Sequence, residues 1–254
     1  MPSHPPTRVI TVANQKGGVG KTTTATNLAA VTYDVLVRPE PILRAVAESI
    51  GDPDSPVMVA STDPQASSVW WSKRVEKQEG GLPFDFAQVD DPTDLRKLRR
   101  LGKRYVFVDT PGSLENEDIL QAVLDETDEV IVPLPPEPLA YQPTTTTITR
   151  VIAPRGLPYK VLVNNWDPRD GLLDLQQTAQ FIRRQKWPMC NTVIRRYKVH
   201  TRAAAQGQVV TQYSKNRTTM EAREDFFRLA LELGYGGAAP QQPASAPLAT
   251  PAGA

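Results

Sequence analysis

Apolar positions along the chain gather in short β-branched runs: "RVITVAN" (8–14), "VMVAS" (57–61), "YVFVD" (105–109), "EVIVP" (129–133) and "KVLVN" (160–164). Several are apolar throughout instead of alternating with polar residues. That is the pattern of strands covered on both faces, and hence of a parallel sheet. Helical spacing fills the intervals. "EPILRAVAESIG" sets Ile42, Leu43, Val46, Ala47 and Ile50 on one face and stops at Gly51. "LENEDILQAVLDET" (114–127) turns Ile119, Leu120, Val123 and Leu124 inward, and "TMEAREDFFRLALELG" (219–234) closes on Gly234. "TTTT" (144–147) is expected to start a further helix. The alternation predicts one α/β domain over residues 8–234, a doubly wound, mostly parallel sheet flanked by helices. Residues 1–7 are expected to be a flexible start. The uncharged, Ala- and Pro-rich stretch 235–254 is expected to be a disordered tail, because it cannot bury enough apolar surface to offset its ordering entropy.

Composition narrows the class. The 254 residues are 40% hydrophobic, enough for a proper core, while 29 Lys+Arg against 28 Asp+Glu leave net charge silent about partners. One cysteine, Cys190, excludes a disulfide framework and a four-thiolate metal site within the chain and points to a reducing, intracellular setting. No apolar run approaches the roughly 18–20 residues of a membrane span, and "MPSHPPTR" lacks the apolar centre of a signal peptide.

The chemistry is concentrated in "VANQKGGVGKTTTATNLAA" (12–30), which follows an apolar strand and opens a helix pattern. That context is what a phosphate-binding loop requires. Gly17, Gly18 and Gly20 let backbone N–H groups turn towards phosphate oxygens, and the helix start near Lys21 adds its positive end. Lys21 is placed to hold the β- and γ-phosphates and the Thr22 hydroxyl to bind Mg²⁺, with Val19 and Thr23 completing the nucleotide-binding run. The usual glycine five positions before Gly20 is Gln15, and a second lysine, Lys16, follows it. From spacing alone Lys16 is either a solvated loop lysine or a cation reaching a phosphate held by another subunit. Asp109 ends an apolar strand level with the loop, where a carboxylate can hold a water on Mg²⁺. Asp63 ends another such strand and suits a residue that orients the attacking water or accepts its proton. Asn164, at the end of a strand, is a candidate contact to adenine, and Trp70 and Trp71 read as packing.

"KGGVGKTT" followed by "NLAA" resembles the deviant Walker A box of the ParA/MinD/NifH class of ATPases. "STDPQASSVWW" (61–71), "YVFVDTPGSL" (105–114), "DEVIVPLPPEPLA" (128–140), "VNNWDPRDGL" (163–172) and "TVIRRYKVHTRAAAQGQVV" (192–210) resemble the later blocks in the same order, from about Arg8 to about Leu233. The resemblance implies an ATPase using ATP and Mg²⁺, with Lys16 contacting nucleotide across a homodimer and Asp63 as the aspartate before Pro-Gln. Ser61 stands where the family usually carries another aspartate. Residues 32–56 are longer than the family's usual connection and are expected to contain an inserted helix, which either pads the surface or binds a partner.

Charge is segregated. Arg183, Arg184, Lys186, Arg195, Arg196, Lys198, Arg202, Lys215 and Arg217 fall between Leu175 and Met220, where no Asp or Glu occurs. Such a stretch is the footprint expected for DNA bound through its phosphates without sequence preference. The cluster "RKLRRLGKR" (96–104) reads as the solvated face of a helix. Taken with the resemblance, the first expectation is a cytoplasmic, nucleoid-associated DNA partition ATPase that dimerises on ATP. Its slow hydrolysis would be stimulated by a ParB-like centromere-binding partner. A related ATPase that positions a protein cargo, such as those that space carboxysomes, is the alternative. A MinD-like role on membrane needs a C-terminal amphipathic helix that 235–254 does not offer. A P-loop ligase for a small molecule lacks a second constellation of acids or histidines. Only about seven residues precede the first strand, so no operator-binding helix-turn-helix domain is expected there.

Overall fold

The computed structural model describes residues 6–37, 55–62, 74, 81–112 and 117–236. Its strands are β1 (Arg8–Val12), β2 (Val57–Ser61), β3 (Asp85–Gln88), β4 (Tyr105–Asp109), β5 (Glu129–Leu134) and β6 (Tyr159–Val163). They form one six-stranded sheet in the order β3-β2-β4-β1-β5-β6, and every neighbouring pair is parallel. The β-branched runs form strands for the reason their composition suggests: each alternate side chain meets a different helical layer. Ile10, Val57, Val59, Phe107, Ile131 and Leu162 enter one core with α1 (Lys21–Val37) and α7 (Arg217–Glu232). On the opposite face Val130, Val132, Val161 and Val163 pack with residues of α4 (Pro138–Thr146) and α5 (Leu173–Arg184). Further along that face Val9, Ala60, Val106 and Val108 pack with Leu95 of α2 (Pro92–Leu95) and with Ala122 and Val123 of α3 (Glu117–Glu126).

Several expectations change. β3 was not visible in the sequence: "DFAQ" has no β-branched residue and lies half-buried at the sheet edge. Residues 32–37 continue α1, so the inserted segment begins later than expected; the helix foreseen within 40–51 lies outside the described residues. "TTTT" does not start a helix. α4 begins at Pro138, and at Thr147 its winding passes into a π-helical turn, Thr147–Ile152. "RKLRRLGKR" is not one helix: it supplies a single 3₁₀ turn, Leu98–Arg100, and its Arg99 and Lys103 pair with Asp128 and Asp85. Beyond α7, Tyr235 is buried edge-on against Tyr105 and Phe107, and the Gly236 N–H donates to the Tyr105 hydroxyl at 3.1 Å, so order extends two residues into the expected tail. Cys190 is a core residue whose thiol burial pushes up to about 12, which makes it a poor thiolate. Among the described residues no helix is long and apolar enough to cross a membrane.

The edge of β6 is covered by residues 188–196, which run beside it. The Val161 N–H donates to the Pro188 carbonyl, Cys190 N–H to Val161, and Ile194 N–H to Val163. This segment leads into α6 (Lys198–Ala205), whose His200 packs edge-on against Phe226 of α7 at 5.6 Å. Burial lowers the His200 pKa to about 4, against a weaker opposing pull from Asp225. The unfolded chain therefore binds a proton near pH 6.5 that the native state refuses until about pH 4. This contribution is complete above about pH 6.5 and is lost as pH falls through that window. We expect the urea midpoint to drop more between pH 7.5 and pH 5 in the wild-type protein than in His200→Leu; equal drops would show that His200 is not responsible.

Candidate nucleotide-binding site

β1 ends against its two neighbours. The Ala13 N–H still pairs with the Ile131 carbonyl, while the Thr110 hydroxyl donates to the Val12 carbonyl at 2.9 Å. The chain then leaves the carboxyl end of the sheet at β1, flanked by β4 and β5, the place where doubly wound sheets bind ligands. Residues 14–20 form a loop and α1 begins at Lys21. Gly18 (φ 77°) and Gly20 (φ 85°) take left-handed backbone that other residues adopt only with strain. A Cβ on Gly17 or Gly18 would meet no atom within 4 Å, so that side of the loop is open to a ligand, whereas a Cβ on Gly20 would stand 2.5 Å from Asn164 Nδ2.

Two asparagines hold the loop. Asn164 Nδ2 donates to the Val19 carbonyl at 2.6 Å, and Asn165 Nδ2 to the Gly18 carbonyl at 3.4 Å. Asn164, expected as an adenine contact, gives its amide nitrogen to the loop, so its observed work is positional. At the other end, the buried Asn14 amide donates to the Pro133 carbonyl and to Thr144 Oγ1, and accepts from the Lys16 N–H at 3.0 Å. Lys21 is buried, and its ammonium donates to the Lys16 carbonyl at 3.3 Å. Gly112, just past β4, approaches so closely that a Cβ there would lie 3.3 Å from Gly17 Cα.

The Thr22 hydroxyl donates to Asp109 Oδ2 at 2.7 Å. Ser61 lies opposite Asp109 in the β2–β4 register. Both continue the strand positions that face α1, since Val57, Val59, Tyr105 and Phe107 belong to that core. The Ser61 hydroxyl is fully buried and makes no hydrogen bond. A hydroxyl, a carboxylate and an orphaned buried hydroxyl beside a phosphate loop form an oxygen-only set that fits Mg²⁺, which keeps several waters and takes few protein ligands. Thr23 is in the first turn of α1, where its carbonyl accepts from Asn27 Nδ2. Asp63, Trp70 and Trp71 lie outside the described residues. Sequence reasoning missed Asn14, Asn165, Gly112 and the threonines of α4. The signals open to it were the polar residue directly before Gln15 and the unusual threonine run.

The basic residues fall at more than one level of the fold. Arg183, Arg184 and Lys186 sit at the end of α5, just before the chain joins β6 near Val161, while Arg195 and Arg196 lie beside Trp166, past the other end of that strand. About five residues of extended chain separate the two levels, roughly 16 Å. Arg195 is engaged by Asp225 in a two-pronged ion pair, closest at 2.7 Å, which raises its pKa mainly through those hydrogen bonds. Arg217 pairs with Glu221 on α7. Arg196, Lys198, Arg202 and Lys215 are exposed.

A glycine loop entering a helix, a buried lysine, a Thr–Asp pair and a second lysine five residues earlier define a P-loop nucleoside triphosphatase of the deviant Walker A type. The comparisons agree. A family described as an AAA domain matches residues 7–36. The chain is 36% identical over 233 residues, 91% of itself and 96% of the relative, to the maintenance of carboxysome distribution protein A of Gloeobacter kilaueensis. Its fold is that of MinD from Pyrococcus horikoshii, solved with Mg-ADP (18% identity, TM-score 0.61, 89% and 96% of the two chains). It is also that of a Cyanothece McdA variant solved as its ATP complex (14%, TM-score 0.61, 91% and 97%). The chain belongs to the ParA/MinD family of P-loop ATPases. As a member of that family it hydrolyses ATP with Mg²⁺.

Gly20→Ala should cost at least tenfold in affinity for a fluorescent ATP analogue. Left-handed backbone alone costs an ordinary residue about 1–2 kcal/mol, and the new methyl would collide with Asn164 Nδ2. Binding unchanged in a folded Gly20→Ala variant would mean that the loop adopts a different path when it binds nucleotide.

Proposed function

We propose that the chain is an ATP-driven positioning ATPase that distributes a large protein cargo of the carboxysome kind over DNA. Two copies clasp ATP between their loops, and only the pair binds DNA, without sequence preference. A partner carried by the cargo then stimulates slow hydrolysis, and the ADP forms let go. The protein would accordingly be cytoplasmic and nucleoid-bound. The observation that carries this reading is the near full-length match to a relative named for carboxysome distribution. DNA partition with a ParB-like partner would use the same cycle. The relative's name supports a protein cargo ahead of it.

In this reading the loop N–H groups and Lys21 hold the triphosphate, while Thr22, Asp109 and Ser61 hold Mg²⁺ and its waters. Bound there, the ion would neutralise charge on the phosphates. Asp63 orients the attacking water and takes its proton, and Lys16 places its ammonium on the nucleotide held by the other copy. Arg196, Lys198, Arg202 and Lys215 of each copy, all exposed, serve DNA. Arg183, Arg184 and Lys186 form a second, separate contribution.

Three measurements test the reading. Lys16→Gln should retain ATP binding within about threefold but lose about a thousandfold or more in partner-stimulated hydrolysis, within the range known for cations supplied in trans; undiminished turnover would defeat the clasp. DNA binding across a salt series should appear with ATP and not with ADP, with log K of the pair falling by roughly 7 per decade of salt if about four phosphates are neutralised per subunit. Equal binding in ADP would overturn the cycle. In cells, loss of the chain should collapse an evenly spaced protein cargo into clusters. Plasmid loss with cargo spacing intact would put DNA partition first.

A further inference from the structure

The loop residues directly before Lys16 are held from outside the loop. Two hydrogen bonds tie residues 14 and 15 to the helical run 138–152, and a third passes that hold on to Lys16. The Gln15 N–H donates to Thr147 Oγ1 at 3.0 Å, and Asn14 Nδ2 to Thr144 Oγ1 at 2.8 Å. Asn14 Oδ1 then receives the Lys16 N–H at 3.0 Å. Thr144 and Thr147 are three apart, hence on one face of that run, and both side chains are buried.

The polarity of these contacts is fixed. Each threonine gives its hydroxyl proton to the carbonyl four residues back, Thr144 to Ala140 at 2.7 Å and Thr147 to Pro143 at 2.9 Å. The hydroxyl oxygens can therefore face the loop only as acceptors, and the loop can offer only N–H groups to them. The remaining Asn14 hydrogen is taken by the Pro133 carbonyl at 2.9 Å, so the amide cannot flip without losing partners on both sides. The Lys16 backbone is thus gripped twice: its N–H by Asn14, its carbonyl by the Lys21 ammonium. The π-helical turn begins at Thr147 itself, and such turns commonly mark places where a helix departs from regular winding to serve a site.

We propose that Thr144 and Thr147 are positioning residues for Lys16, acting through Asn14 and Gln15 to set the backbone direction from which the lysine reaches nucleotide in the other copy. The inference rests on the reading of Lys16 given above. Thr144 and Thr147 touch no phosphate of their own and are separate from Lys21, Thr22 and Asp109, which bind nucleotide within one copy. Removing a threonine acceptor should accordingly spare affinity and damage turnover.

The test compares Thr147→Val, Thr147→Ser, Lys16→Gln and the double variant Lys16→Gln/Thr147→Val in the full chain, with fluorescent ATP-analogue binding and partner-stimulated hydrolysis measured on each. Thr147→Val should leave ATP affinity and KM within about threefold and lower kcat about tenfold or more, because the Gln15 N–H loses its acceptor. Thr147→Ser, which keeps the oxygen, should restore kcat. The double variant should be no slower than Lys16→Gln alone, since a residue that works only through Lys16 has nothing left to lose. A folded Thr147→Val with wild-type kcat overturns the proposal, and so does a rise in KM that matches the fall in turnover, or a further loss in the double variant. Should Thr147→Val not fold, Thr147→Ala removes the same acceptor without the branched bulk and is judged by the same outcomes. Loss in Thr147→Val with full activity in Lys16→Gln would sink the clasp itself, whereas the reverse pattern would sink only the support.

Discussion

A loop whose glycines do the binding cannot hold itself. Gly17, Gly18 and Gly20 offer N–H groups freely because they carry no side chain, and for the same reason they make no side-chain packing contact that would fix them. The order of the nucleotide end must therefore come from outside the loop, and it comes from amides. Asn14 ties its start to β5 and α4, and Asn164 ties its middle to the end of β6. Both are buried, and each bond lies where water is excluded, so leaving one unmade would cost about 1–3 kcal/mol. A flexible ligand cradle is thereby attached to the rigid strands that flank β1.

That attachment explains what the sequence disclosed and what it withheld. Five of the strands were legible because parallel strands buried on both faces must be apolar at consecutive positions, as "YVFVD" is. The phosphate loop was legible because its chemistry tolerates few residue types. β3 was not, since an edge strand half in solvent answers to its neighbour's backbone more than to its own side chains. The threonines 144–147 were misread for a related reason. Four consecutive β-branched hydroxyl residues carry no apolar period, and their value depends on Asn14, 130 residues away in the chain. Long-range polar pairs of this kind leave no local pattern.

Charge shows the same limit from another side. Along the chain the basic stretch is uninterrupted, yet β6 and the segment beside it divide it into groups at opposite ends of a strand. The acids missing from that stretch return on α7, where Asp225 takes Arg195 and Glu221 takes Arg217. The Arg195–Asp225 pair joins the segment beside β6 to the helix that packs on α1, so part of what looked like a nucleic-acid footprint is architecture. Of the exposed remainder, Arg196 lies close to the loop that carries Asn164 and Asn165, its N–H donating to the Trp166 carbonyl at 2.7 Å.

The two lysines can now be set against each other. Ammonium groups about 4 Å apart would repel by about 4 kcal/mol at the effective dielectric of a protein surface, a cost no loop would carry idly. The fold answers by giving Lys21 the carbonyl of Lys16 as its neighbour, so that the negative end of a peptide dipole lies where a second charge would otherwise be felt. Lys21 is then committed inward, to the phosphates its own loop can hold. On the proposed function, the second cation at Lys16 serves a phosphate held by another copy of the chain, one that Lys21 does not reach. Fixing the Lys16 backbone from both ends is the corresponding requirement, because a lysine that must meet a ligand in another molecule gains from every degree of freedom already removed before the two copies meet.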